Sequence, residues 1–170
     1  MNFLRSLGIL FGPSNPLSFT IEHQQQTEWC WSATSVSITR YFNQTSSWQQ
    51  CTLANATIGR QTCCTDGKNP ECNQPWNLVD PLTIVRNFQS TEERRLTLTE
   101  VRSAIDDGRP LCLRIEWYGS GGHFVVIYGY SNNTILVADP LFGYSAIEYD
   151  KFPDQYQDRG KWTGTYWVQP

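Results

Sequence analysis

Hydrophobic positions change their spacing near residue 108, with helical signals before it and strand signals after it. Residues 29–42 run from Trp29 to Phe42 without Gly or Pro, and Thr27 stands ready as an N-cap, so the pattern predicts a buried helix. Ser46-Ser47-Trp48-Gln49 has the form of a capping box, with Ser46 as cap and Gln49 reaching back, and opens a short helix carrying Cys51. Residues 59–75, rich in Gly, Asn, Thr and Cys, read as a loop, and a third helix is expected within 78–88. Thr97-Leu98-Thr99-Glu100 is a second capping box; apolar Val101, Ala104 and Ile105 follow, Gly108 is the stop and Pro110 lies beyond.

After Pro110, Leu111 to Trp117 passes from an apolar run into alternation, as in a half-buried strand. A Gly-Ser-Gly-Gly turn at 119–122 leads into the β-branched and aromatic run His123 to Tyr128, which predicts a hairpin. Residues 134–139, 144–149 and 162–168 complete a largely antiparallel sheet. Helices followed by strands indicate an α+β domain. The expected division is a helical lobe over about 20–108, a β lobe over about 109–170 and an N-terminal arm over 1–19, all within one domain.

Composition narrows the function classes. The chain has 170 residues, 39% of them hydrophobic, enough to bury a core without a metal. Charged residues are only 17%, and 13 Lys+Arg against 16 Asp+Glu give a formal net charge of −3. No basic cluster exceeds Arg94-Arg95, so nucleic acid is not an expected partner. The longest apolar stretch, Phe3 to Phe11, is broken by Arg5 and too short to span a bilayer. It also lacks the basic region and small-residue cleavage site of a signal peptide.

Six cysteines stand at 30, 51, 63, 64, 72 and 112. Four of them, Cys51, Cys63, Cys64 and Cys72, crowd one loop-rich segment, and two disulfides there would imply an oxidising compartment, with three connectivities open. Zinc is the rival reading, but adjacent Cys63 and Cys64 lack a chelating spacing, and buried reduced thiols are the third. No metal or other cofactor is expected.

Thiol and imidazole are the side chains here able to supply nucleophile and base at neutral pH, and both are scarce. Cys30 opens the first helix, where backbone N–H groups favour a thiolate. His123 begins a strand directly after Gly121 and Gly122, which would let a substrate backbone approach. Asp139 ends the next strand; if the two strands are neighbours, it can hold one imidazole nitrogen while the other faces Cys30. Gln24, six positions before Cys30, could offer its amide to an oxyanion, together with the Cys30 N–H. Singly, each has a plain structural reading: a core cysteine, a strand-end histidine, a turn aspartate, a surface glutamine. Together they fall in the order and contexts that one mechanism demands.

The sequences Gln24-x5-Cys30-Trp31, Gly121-Gly122-His123-Phe124-Val125-Val126 and Ala138-Asp139-Pro140 resemble the papain-like cysteine peptidases, most closely a compact bacterial branch related to type III effector peptidases. Gln24, Trp29, Cys30, Trp31 and Ala33 match that branch's core. The resemblance implies a helical lobe and an antiparallel sheet or barrel lobe with a cleft between them. It further implies Cys30 as nucleophile, His123 as general base and then acid, Asp139 as orienting residue and Gln24 as oxyanion donor. Asp139 departs from the Asn of plant and lysosomal members. Trp31, Trp117, Gly121 and Gly122 are expected to line the substrate cleft. No inhibitory propeptide is expected in the 23 residues before Gln24. The expected partners are a protein or peptide substrate and an inhibitor or immunity protein, and the expected setting is secretion or delivery into a target cell, as a toxin or a processing peptidase. The alternatives are acyl transfer on the same fold and a catalytically silent peptide-binding module. A zinc-stabilised interaction domain is a further one.

Overall fold

The computed structural model describes residues 15–170; residues 1–14, most of the expected arm, lie outside the described residues. The order along the chain is α1 (Cys30–Phe42), α2 (Gln50–Ile58), α3 (Val79–Ile84), β1 (Phe88–Glu92), α4 (Leu98–Asp106), β2 (Leu111–Trp117), β3 (Gly122–Ser131), β4 (Thr134–Asp139), β5 (Gly143–Glu148), a 3-10 turn (Tyr149–Lys151) and β6 (Gly160–Val168). The strands form a six-stranded sheet in the order β1-β6-β2-β3-β4-β5, every neighbouring pair antiparallel.

Both faces of the central strands are covered, which explains why they read as apolar runs rather than clean alternations. Cys112, Phe124, Val126 and Ala138 pack with Trp29, Trp31 and Ile38 of the α1 side. Leu111, Leu113, Ile115, Val125, Ile127 and Val137 pack with Val101, Ala104 and Ile105 of α4 on the other. The α4 capping box forms as expected, with Glu100 N donating to Thr97 Oγ1 at 3.3 Å and Thr97 N donating to Glu100 Oε2 at 2.7 Å. Gly108 ends that segment at φ +75°, a conformation that favours glycine.

Two local expectations change, and one strand is added. Thr27 does not cap α1: the N-cap position is Trp29, without a side-chain bond, and the Thr27 hydroxyl accepts instead from Asn73 Nδ2 at 2.9 Å. Ser46 does not open α2: the N-cap is Gln49, whose N–H donates to Thr52 Oγ1 at 3.1 Å. The third helix, Val79–Ile84, falls within the expected 78–88; after it Arg86 takes φ +66°, and Phe88 begins β1, an edge strand missing from the expectation. The described part of the arm docks on β3, Asn15 N and Leu17 N donating to Tyr130 O (3.0 Å) and Tyr128 O (2.8 Å). A Cβ on Gly129 would sit 2.8 Å from the Pro16 Cα, so the close approach of the arm requires glycine there. Among the described residues, no helix is long and apolar enough to cross a membrane.

Candidate active site

Cys30 is the first residue of α1 and is only 9% exposed. The turn that delivers it is held from a distance. Trp29 Nε1 donates to Cys72 O at 2.8 Å, Trp31 Nε1 to Gln74 O at 3.1 Å, and Glu28 N to Asn73 Oδ1 at 2.9 Å. All three acceptors belong to the cysteine-rich segment. Its four sulfurs pair as Cys51–Cys64 and Cys63–Cys72, so of the three connectivities this is the one formed, and no thiolate set remains there for zinc. Asn55 adds a further tie, its Oδ1 accepting from Cys63 N at 2.9 Å.

The other half of the site comes from strand register. Val126 stands opposite Ala138, leaving Asp139 one step past that pair, on the same face as Val125 and, two residues on, His123. His123 Nε2 lies 2.7 Å from Asp139 Oδ1, and both residues are buried. The Trp117 ring stacks on the imidazole at 5.8 Å and Phe142 meets it edge-on at 6.2 Å, shielding the pair from water. Burial works against a charged ring, but the hydrogen bonds from Asp139 and Cys30, and the charges of both, outweigh it and raise the His123 pKa to about 9. Burial likewise opposes the Asp139 carboxylate, and the bonds from His123 and from the Leu141 and Phe142 N–H groups hold its pKa below the ordinary value. His123 and Asp139 thus meet through Nε2 and Oδ1, leaving Nδ1 free of Asp139, and Cys30 stands at the first position of α1 on a pocket that Gly122 and Phe124 also line.

A pocket of about 290 Å³ opens beside Cys30, lined by Glu28, Trp76, Arg114, Gly122, Phe124 and Tyr166 among others. Gly122 lines it, and a Cβ there would lie 3.1 Å from Arg114 Nη2. Gly121 takes φ +80° in the turn, with nothing near its Cβ position, so it shapes the chain rather than the pocket wall. Trp31 does not line the cleft: it is fully buried, because its indole N–H is drawn to Gln74 O. Gln24 is buried in the turn before α1. Its Nε2 donates to Gln26 O at 3.0 Å and Thr27 O at 2.7 Å, spending both hydrogens on the turn before α1, while Oε1 finds no partner among the described residues. Turning the amide over would set its oxygen against two carbonyls, so the observed orientation is the favourable one. Gln24 braces the nucleophile's turn.

Sequence reasoning missed three residues that build the site. Asn73 ties Glu28 and Thr27, and Gln50, 1% exposed, donates to Glu22 and His23 O while accepting from Gln25 N. The Tyr156 hydroxyl donates to Asp139 Oδ2 at 2.8 Å. Each acts across 17 to 46 positions of sequence, with no periodic signal to announce it.

Several solved structures share this architecture. A C39-like peptidase from Bacillus anthracis superposes with a TM-score of 0.61 at 14% identity, covering 93% of this chain and 98% of that one. The peptidase domain of Streptococcus ComA, described as a bifunctional ABC transporter involved in quorum sensing, gives 0.58 at 12%, covering 89% and 98%. A double glycine motif protease from an AMS/PCAT transporter, in complex with a leader peptide, gives 0.54 at 15%, covering 91% and 95%. At such identities the likeness speaks for the fold, which is papain-like. No curated protein matches the sequence. The Peptidase_C39 like family matches residues 16–166, and the chain belongs to that family as a cysteine peptidase.

Proposed function

We propose that the protein hydrolyses peptide bonds through Cys30, His123 and Asp139. The observation that carries this reading is the buried imidazole held by Asp139 through Nε2, with the free Cys30 thiol at the start of α1. The Cys30 sulfur attacks the peptide carbonyl carbon, and electrons move to the oxygen. The negative oxygen is met by the Cys30 N–H, which the uncapped first turn of α1 leaves without a side-chain partner. As the C–N bond breaks, imidazolium Nδ1 passes its proton to the departing amine, leaving a thioester on Cys30. Water then enters; His123 takes its proton, the C–S bond breaks, and the acid product leaves as the proton returns to the thiolate–imidazole pair. Asp139 fixes the ring and stays ionised throughout.

The substrate we assign is a protein or peptide lying across the pocket of Trp76, Gly122, Phe124 and Tyr166. The two disulfides support work in an oxidising compartment, as a secreted processing peptidase or a delivered toxin. Incubation of the enzyme with an unbiased peptide library, read by mass spectrometry, tests the reading. Cleavage that disappears in Cys30→Ala and falls at least about a thousandfold in His123→Ala is the expected result. Cleavage that survives Cys30→Ala overturns it.

A further inference from the structure

Asp139 is 1% exposed, and every polar contact it makes is accounted for. Oδ1 accepts from His123 Nε2 at 2.7 Å, Leu141 N at 2.7 Å and Phe142 N at 3.1 Å. Oδ2 accepts from the Tyr156 hydroxyl at 2.8 Å, and that contact has no place in the chemical steps above. Tyr156 comes from the segment between β5 and β6, is 3% exposed, and has its ring wedged against Phe152 at 5.3 Å, which in turn meets Trp162 at 6.1 Å. The hydroxyl is therefore aimed by packing and cannot swing to another partner.

We propose, resting on the triad reading, that Tyr156 is a positioning residue for the reaction: the three donors on Oδ1 already set the orientation of Asp139, and by donating to Oδ2 Tyr156 shares the carboxylate's negative charge and so tunes how tightly it holds the imidazolium. A buried carboxylate with an unpaired oxygen keeps its full charge and is a stronger base toward the imidazolium. Such a base would hold the ring's proton more tightly at the moment it must pass to the amine. Tyr156 relieves this by taking part of the charge, so His123 remains an effective acid. Among titratable groups, Asp139 and Cys30 of α1 bear on the imidazole, and Asp139 is the hydrogen-bond partner of the Tyr156 hydroxyl among the described residues. Burial first, and then the neighbouring Asp139 charge, push the phenol far above its ordinary pKa, which keeps it a donor throughout the working range.

The test needs no substrate. His23 and His123 are the chain's two histidines, so ¹³C-histidine labelling gives two ring titrations in one NMR experiment, with His23 as internal reference. Tyr156→Phe keeps the ring packing and removes the donor; the His123 midpoint should rise by about one pH unit, as for loss of one hydrogen bond to a charged group, while His23 stays put. Incorporation of 3-fluorotyrosine at 156, a stronger donor of nearly the same shape, should move the midpoint the other way. In an Asp139→Asn background, Tyr156→Phe should leave His123 where it was. A merely structural tyrosine would lower the melting temperature without moving His123 in any of these variants, and that result overturns the inference. Iodoacetamide labelling of Cys30 in the wild type, with and without His123→Ala, is run alongside. Labelling indifferent to His123 sinks the triad reading itself, whereas His123-dependent labelling with an unmoved His123 titration sinks only the role of Tyr156.

Discussion

The two walls of the cleft are built by different means. The wall that presents His123 and Asp139 is a sheet, in which backbone pairing sets each position and the side chains follow from parity. The wall that presents Cys30 is α1 with the short helices α2 and α3 and the irregular cysteine-rich segment between them. It is held by Trp29, Trp31 and Glu28 bonding to the backbone or side chain of residues 72–74, and that segment is held by two disulfides. One wall is a lattice of local pairings; the other is a handful of long-range ties whose removal is not shared among neighbours. The nucleophile should therefore be the more easily misplaced partner, and oxidation state should matter to it more than to the base.

The largest test of this contrast is loss of the Cys63–Cys72 bond. A Cys63→Ser, Cys72→Ser variant should lose about 2–4 kcal/mol of unfolding free energy in urea titration, with a marked fall in peptide cleavage even where the protein stays folded. Unchanged cleavage in the folded variant would show that the segment does not place Cys30. Next in size is the pH response of the base wall. His123 has a raised pKa, so the catalytic imidazolium is lost as pH rises through about 9, and activity should fall about tenfold per unit beyond it. Its contribution to stability follows the same sign, complete below the ordinary value of 6.5 and lost through about 9. The Asp139 contribution runs oppositely, present above its ordinary 3.8 and lost on acidification through its lower folded value. Circular-dichroism melts from about pH 2 to pH 10 check both limbs.

Smaller again is Asn73→Ala, which removes the ties to Glu28 N and Thr27 Oγ1 and should lower stability by about 1–2 kcal/mol and kcat several-fold. Thr97→Ala is the control for the other side of the sheet: loss of the α4 cap should cost about 1 kcal/mol in the melt while kcat and KM hold steady. Equal effects on kcat from these two variants would erase the distinction between the walls.

The same distinction explains what could be read from the sequence. Cys30, His123 and Asp139 were legible because each sits at the end of an element whose local pattern is strong: a Gly- and Pro-free run, two β-branched strands, a Gly-Gly turn. The Thr97 cap was legible because its partner lies three residues away. Thr27 was misjudged as a cap because Asn73, 46 positions off, claims it, and the Gln24 amide donates to two carbonyls of its own turn, contacts that its sequence context does not announce. β1 is polar and mostly exposed, and only its pairing with β6 at the far end of the chain makes it a strand. The disulfide pairing, likewise, is decided by the path of the loop, which residue spacing leaves open.

Cys30 and Cys112 are the two free thiols, and they give the most direct measurement. Cys112 is wholly buried in β2, where burial pushes its pKa far above the ordinary thiol value. The folded, non-reduced protein is treated with limiting iodoacetamide at about pH 6, where an ordinary thiol of pKa near 8.5 is almost wholly protonated and slow, and labelled peptides are mapped by mass. Rapid modification at Cys30 alone, collapsing in His123→Ala, is the predicted result. Slow labelling at Cys30, or labelling that His123→Ala leaves unchanged, would contradict a nucleophile activated by the His123–Asp139 pair.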